Sequence, residues 1–258
     1  MIPITALILT FNEEANIART LSRLDWLHEV VVLDSCSTDA TCEIASRYPN
    51  VRVVRHPFAS LAEQWNFGLE RAGISTEWVL ALDADYVLTD EVIDEIQTLD
   101  PGSADGFRAS FVYCVNGRPL RAGVYPPVTV LFRKAVTHVE QDGHCQRARV
   151  RGPVRELSGR IHHDDRKPLG RWLTSQAGYM KLEADKLERV PASELALIDR
   201  LRRLIFVAPP VVFLYCLIVR RGALDGWAGW SYALQRAAAE MILSLTILER
   251  RLLRRGSA

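Results

Sequence analysis

The chain has 258 residues, 48% of them hydrophobic and 24% charged, with a formal net charge of +1, which is enough to bury a full core and too apolar for disorder. Five cysteines (Cys36, Cys42, Cys114, Cys145 and Cys216) with no Cys-x-x-Cys pair argue against a disulfide framework or a zinc knuckle and for a reducing compartment. The opening Met1-Ile2-Pro3-Ile4-Thr5 lacks the basic start of a secretory signal, so a cytoplasmic location is expected.

In chain order, the first hundred residues alternate β-branched runs with helical patterns, the signature of a parallel sheet covered by helices. Strands are expected at Ile4–Thr10, Glu29–Asp34, Val51–Arg55 and Trp78–Asp83. Asn12 can cap a helix over 12–24, Thr38 or Asp39 one ending near 47, and a third is expected over 60–72. After a short helix at 90–99 the pattern changes. Gly106–Val115 and Val128–Arg133 read as strands with Asn116-Gly117 as a turn between them, which gives the second half a mixed or antiparallel character. A helix follows from Pro168 to about Leu187, with Leu169, Leu173, Ala177, Met180, Ala184 and Leu187 on a packing stripe.

The tail differs in kind. Residues 204–219 carry no charge but are interrupted by Pro209-Pro210, too short and too broken for a span of about 20 apolar residues. A second stripe follows at Trp230, Leu234, Ala237, Met241, Leu245, Leu248 and Leu252, ending in Arg250, Arg251, Arg254 and Arg255. From Arg200 onward ten arginines face three acids, whereas the rest of the chain holds 22 basic and 28 acidic residues. An acidic body with an arginine-rich apolar tail is a poor match to a nucleic-acid binder and suits peripheral or monotopic attachment to an anionic membrane surface. A helical cap or a dimer interface is the alternative for the tail. Two regions are expected: a catalytic domain at 1–190 and a helical, membrane-associating extension at 191–258.

In sheets of this kind ligands sit beyond the carboxyl ends of the strands, and here each strand ends in polar residues. Leu80-Ala81-Leu82-Asp83-Ala84-Asp85 is an apolar strand running into two acids. Positions i and i+2 of an extended chain point the same way, so the two carboxylates can converge on Mg²⁺ or Mn²⁺. No Gly-x-Gly-x-x-Gly, P-loop or Gly-x-Ser-x-Gly occurs, which disfavours a dinucleotide oxidoreductase, an ATPase and one common hydrolase type.

The ordered set Ala6-Leu7-Ile8-Leu9-Thr10-Phe11-Asn12-Glu13-Glu14, Val30-Val31-Val32-Leu33-Asp34-Ser35-Cys36-Ser37-Thr38-Asp39 and Asp83-Ala84-Asp85 resembles the family 2 inverting glycosyltransferases of the GT-A fold. The resemblance covers about the first 135 residues and implies an α/β fold with a mostly parallel central sheet, a mixed second half and a C-terminal helical extension. It further implies that Thr10, Phe11, Asn12 and Glu13 wall the nucleotide, with Glu13 near the ribose, and that Asp34 hydrogen-bonds the base. Asp83 and Asp85 would hold ribose, metal and diphosphate. Glu63-Gln64-Trp65-Asn66-Phe67-Gly68-Leu69 resembles the family helix lining the same pocket, with Asn66 a nucleotide contact. Trp65 stands where a basic residue is common, so one diphosphate contact would have to come from elsewhere; Tyr86 likewise replaces an acid.

Inverting transfer needs a base on the acceptor side. Within Glu140-Gln141-Asp142-Gly143-His144, Asp142 is favoured, then Glu140, then His144; turn residues beside Gly143 are the plain alternative. Arg133 could meet the diphosphate, or be a solvated edge charge. His162 or His163 could complete the metal shell. The region around His162-His163, the helix after Pro168 and the stretch from Arg220 to Gly226 resemble the lipopolysaccharide-core glycosyltransferases of this family. That resemblance implies a nucleotide-sugar donor and a lipid-linked glycan acceptor at the inner face of the plasma membrane. A phosphatase with an aspartate nucleophile and a non-catalytic sugar- or lipid-binding protein are the rival readings.

Overall fold

The computed structural model describes residues 2–143 and 145–256. Its strands are β1 (Ile4–Thr10), β2 (Glu29–Asp34), β3 (Val51–Arg55), β4 (Trp78–Asp83), β5 (Tyr86–Val87), β6 (Gly106–Val115), β7 (Arg118–Pro119), β8 (Val128–Arg133), β9 (Thr137–Asp142), β10 (Cys145–Val150) and β11 (Val154–His163). The helices are α1 (Ile17–Leu21), α2 (Thr41–Ala45), α3 (Leu61–Arg71), α4 (Asp90–Thr98), α5 (Leu169–Arg189), α6 (Leu197–Arg202), α7 (Ala208–Leu214), continued by a π-turn at Tyr215–Val219, and α8 (Gly226–Gly256).

The contacts divide the described chain into two compact units, 1–119 with 125–141 and 145–167, and 120–124 with 142–144 and 168–258. By its contacts α5, placed by the sequence within a domain ending at 190, groups with the C-terminal helices, because Met180, Ala184 and Leu187 pack on Leu243 and Ile247 of α8. Its exposed Leu169 and Leu173 leave that stripe buried only in the second half of the helix.

In the first unit the sheet order is β3-β2-β1-β4-β8-β6-β11-β5, with β7 paired to β6. Strands β3, β2, β1 and β4 are mutually parallel, and β8 joins β4 antiparallel. Alternation explains the unbroken apolar runs: Ala6, Ile8, Val30, Val32, Leu80 and Leu82 enter one core cluster, and Leu7, Val31, Leu33 and Val79 the other. Both faces are therefore buried, as parallel strands between helix layers require. Ile17, Leu21, Val92 and Ile96 of α1 and α4 cover one face; Trp65 and Leu69 of α3 cover the other. Ser60 caps α3 by accepting from the Glu63 amide, and Thr89 caps α4 through the Val92 amide. Helix α1 is shorter than expected, because Asn12 adopts φ 55° and the helix starts only after Asn16. Asn116 and Gly117, both at positive φ, close the β6–β7 hairpin rather than joining β6 to β8.

In the second unit Asp225 accepts from the Arg121 and Ala122 amides, and Gly222 and Gly229 approach so closely that a Cβ on Gly229 would lie 1.9 Å from the Gly222 carbonyl oxygen. Gly229→Ala is expected to cost about 1–3 kcal/mol of stability, read from thermal unfolding.

Candidate functional site

Register brings the strand ends together. Thr10 lies opposite Asp34 across β1 and β2, and Leu9 opposite Asp83 across β1 and β4, so Asp34 and Asp83 flank the end of β1 at two strand spacings, about 10 Å. The loops after β1 and β2 are braced against each other. The Asn12 side-chain oxygen accepts from the Thr38 amide (2.7 Å), the Ser37 hydroxyl accepts from the Asn12 amide (2.7 Å), and Thr41 Oγ1 accepts from the Glu13 amide (2.6 Å). Phe11 projects from this brace, 54% exposed. Asp34, expected to meet a base, is fully buried: one carboxylate oxygen accepts from Thr10 Oγ1 (2.9 Å) and the Ser37 hydroxyl, the other from the Ser37 amide (2.8 Å). In this structure it holds the two loops in place and presents no open edge.

Asp85 is buried beside Asp83, and its Oδ2 lies 3.1 Å from Nε2 of His163. The imidazole is delivered by pairing: β11 runs antiparallel to β5 with His163 opposite Tyr86. His162, the residue expected at the metal, is opposite Val87 and lines a groove with Glu91 and Arg160, because neighbouring strand residues point to opposite faces. The rings of Tyr86, Tyr113 and Tyr125 stand 5.4, 5.0 and 4.6 Å from the His163 ring. The His163 Nδ1 is buried with no hydrogen-bond partner among the described residues.

The segment after β11 adds a cation that the sequence reading missed. Lys167 Nζ sits 2.8 Å from Glu13 Oε1 and 3.4 Å from Asp165, and Asn16 donates to the other Glu13 oxygen and to Asp165. Arg19 and Arg166 both pair with the buried Asp164. Lys167 lies 154 residues from Glu13 on a stretch without periodicity, so nothing local marked it.

Burial dominates the titration of this cluster. It pushes Asp83 up to about 6, with the neighbouring Asp85 charge adding to the rise and His163 and the Tyr86 hydroxyl opposing it. Burial also carries Glu13 to about 7 despite Lys167. Burial alone would raise Asp85 as well, but the charge and hydrogen bond of His163, with Lys167, bring it well below the ordinary carboxylate range. Burial disfavours the charged forms of His163 and Lys167, yet the surrounding carboxylates hold both above their usual values. Glu13, Asp83 and His163 thus bind a proton more tightly folded than unfolded. Their contribution to stability is complete below the unfolded values and is lost as pH rises through the folded ones. Without added nucleotide or metal, the melting temperature is expected to fall between about pH 4.5 and 7, and less steeply in Asp83→Asn. Parallel slopes in the two proteins, measured by scanning fluorimetry, would contradict this.

Three further expected contacts are engaged elsewhere. Asn66 is spent on β9, its amide donating to the Val139 carbonyl (2.8 Å) and accepting from the Val139 amide (2.9 Å). Trp65 beside it is core, 3% exposed. Arg133 pairs with Trp78 in register at the opposite end of β4, about 17 Å along the strand from Asp83, where it binds Glu77 and Asp105 (3.1 Å) and lies over the Trp78 ring. Glu140 is tied to Arg149 (2.8 Å). Asp142 belongs to the second unit, where Lys186 Nζ lies 3.0 Å from it and 3.4 Å from Asp199, itself paired with Arg202, which binds the buried Glu240. His144 lies outside the described residues.

Comparison with known proteins bears on the fold and the family. Over 97% of this chain and 92% of the other, the fold superposes on S. aureus TarS 1-349, solved in complex with UDP-GlcNAc, with a TM-score of 0.51 at 15% identity, a likeness of GT-A-type architecture. The lipopolysaccharide core biosynthesis glycosyltransferase LpsC of Rhizobium meliloti is 32% identical over 99 residues, 37% of this chain and 36% of that protein. An uncharacterized glycosyltransferase of Rickettsia felis is 37% identical over 95 residues, 36% of this chain and 32% of that protein. The matched region thus spans about a third of each of these relatives. Residues 5–145, which carry β1 to β9 and the Asp83–Asp85 pair, match the family model described as glycosyl transferase family 2, and the chain belongs to that family.

Proposed function

We propose that the protein transfers a sugar, with inversion, from a nucleoside-diphosphate sugar of the UDP class to a glycan carried on a membrane lipid, such as a lipopolysaccharide core, at the inner face of the plasma membrane. The observation that supports this most is the cluster in which Glu13, Asp83 and Asp85, following the adjacent parallel strands β1 and β4, meet His163 and Lys167 from the end of β11. The likeness to LpsC supports the acceptor class. The acidic pair follows β4, the fourth strand of the chain, and not the opening strand, where an aspartate-nucleophile phosphatase would carry it.

Among the described residues no group of three or more His, Cys, Asp or Glu side chains is placed to hold a metal ion, so a divalent cation here would rest on Asp83 and Asp85 together with oxygens of the bound donor. Burial first and the Asp85 charge second raise the proton affinity of Asp83, a repulsion that a cation between the two carboxylates would relieve, and the neighbouring His163 keeps one ring nitrogen unpartnered among the described residues. Asp83 and Asp85, beside His163, would hold Mg²⁺ or Mn²⁺, which when bound neutralises charge on the leaving diphosphate. Lys167 supplies the fixed cation that the position of Trp65 lacks, and Glu13 faces the ribose. Thr10, Asn12 and Asp34 keep the nucleotide loop rigid, and Phe11 offers an aromatic face to the base. Asp142 takes the acceptor proton as general base, held by Lys186. A panel of nucleotide sugars, assayed for donor hydrolysis with and without Mn²⁺, tests the reading. Metal-dependent release of UDP supports it; turnover of no donor under any condition would favour a non-catalytic binding protein.

A further inference from the structure

We infer that α8 lies flat in the headgroup boundary of an anionic lipid leaflet, with α7 and its π-turn beside it, and that the stripe running from Trp227 to Leu252 is the docking face. This deepens the proposed membrane acceptor by naming the surface. It does not depend on the sugar chemistry.

Helix α8 has two unlike faces. Tyr232, Ala233, Ala239, Glu240, Leu243, Ser244 and Ile247 are buried within the second unit, where Arg202 neutralises Glu240 and Ser244 donates to the Ile205 carbonyl. Trp227, Trp230, Leu234, Met241, Leu245 and Leu252 are all more than 40% exposed, Trp227 at 89%. Their spacing keeps them on one side over 25 residues, about 38 Å. The stripe the sequence offered for packing or a membrane is thus the outward one. Phe213 of α7 meets Trp230 at 6.2 Å between ring centroids, and Ile218 and Phe206 extend the apolar surface at 67% and 73% exposure. So large a contiguous apolar area marks an interaction site.

Charge selects the occupant. Between residues 204 and 252 the acids are Asp225, Glu240 and Glu249; the first two turn inward, onto the Arg121 and Ala122 amides and onto Arg202, and Glu249 is exposed beside Arg250 and Arg251. The cations Arg220 and Arg221 are exposed. An apolar stripe with tryptophans and a rim in which exposed arginines outnumber the single exposed acid matches an anionic leaflet. A second copy of this chain in two-fold contact would set like rims against each other. Spanning is disfavoured as well: among the described residues no helix is long and apolar enough to cross a membrane, and α7 with its π-turn covers 12 residues, about 18 Å.

The test is cosedimentation of the full chain with vesicles of phosphatidylcholine alone or mixed with phosphatidylglycerol. Binding to the mixed vesicles, weakened by salt, is expected, and Arg220→Gln with Arg221→Gln should lower it about 10- to 30-fold. Trp227→Glu and Leu252→Glu, at opposite ends of the stripe, should each lower it about tenfold or more, as a helix lying in the plane requires. Thermal unfolding shows whether these exposed-site variants remain folded, and the milder Trp227→Ser and Leu252→Ser repeat the test should either fail. Equal binding to both vesicle types, loss at one end of the stripe only, or a stable dimer in light scattering that does not bind vesicles would each overturn the inference. Since nucleotide release is measured without vesicles, failure here leaves the transferase reading standing, and failure there leaves this one.

Discussion

Asp85→Asn is expected to lower sugar transfer by about 10²–10³-fold while leaving the melting temperature within a few degrees of the parent. Asparagine keeps the size of the side chain and removes its charge. The parent carboxylate is buried, accepts from His163 and stands close enough to raise the proton affinity of Asp83. Loss of its charge therefore removes one oxygen donor to a cation and frees His163 to turn away. It also relieves repulsion on Asp83, which is why stability need not suffer. Steady-state kinetics with saturating metal should place the loss in kcat. A variant with near-parent turnover would remove Asp85 from the proposed cation site.

Asp142→Asn should cost about 10²–10⁴-fold in kcat with the affinity for the nucleotide preserved, since general-base catalysis contributes on that scale. The structural reason to single out Asp142 is an alternating chain of charges. Asp142, Lys186, Asp199, Arg202 and Glu240 follow one another at 2.7–3.4 Å, running from the β9–β10 turn to the interior face of α8. Burial opposes the charge on Lys186, but Asp142, Asp199 and Glu183 raise its proton affinity, so the ammonium persists beside the carboxylate. Lys186→Met should then shift the acid limb of the kcat–pH profile upward, because a carboxylate stripped of its cation is harder to ionise; Lys186→Arg should restore it. If Asp142→Asn lost nucleotide affinity and turnover equally, the residue would belong to binding and not to proton transfer.

The parallel half of the fold was legible because burial on both faces writes itself as β-branched runs. Ala6-Leu7-Ile8 and Val30-Val31-Val32-Leu33 can scarcely be read otherwise, and β1 to β4 appear with the expected bounds. Strands β9, β10 and β11 were not legible, since Gln146, Arg147, Arg149 and Arg155 interrupt any apolar period and the pairing that forms β11 is with distant β6. The same division runs through the site. Glu13, Asp83 and Asp85 end apolar strands and could be found by spacing. The choice between His162 and His163 depended on the register against β5, two residues long, which no local pattern reveals. Asn66 and Arg133 sat in plausible places along the sequence, but their side chains answer to backbone groups and acids that only the tertiary fold supplies. For Asp34 the type of residue was read and its surroundings were not: the hydroxyls of Thr10 and Ser37 claim it first.

Isothermal titration of UDP into the protein, with Mn²⁺ and without, in parent and Asp83→Asn/Asp85→Asn chains, bears on the central claim most directly. Two neighbouring carboxylates that need a cation to meet a diphosphate predict tight binding in the parent only when Mn²⁺ is present, and weak, metal-indifferent binding in the double variant. Equal affinity with and without Mn²⁺ in the parent, or unchanged metal-dependent binding in the double variant, would contradict it.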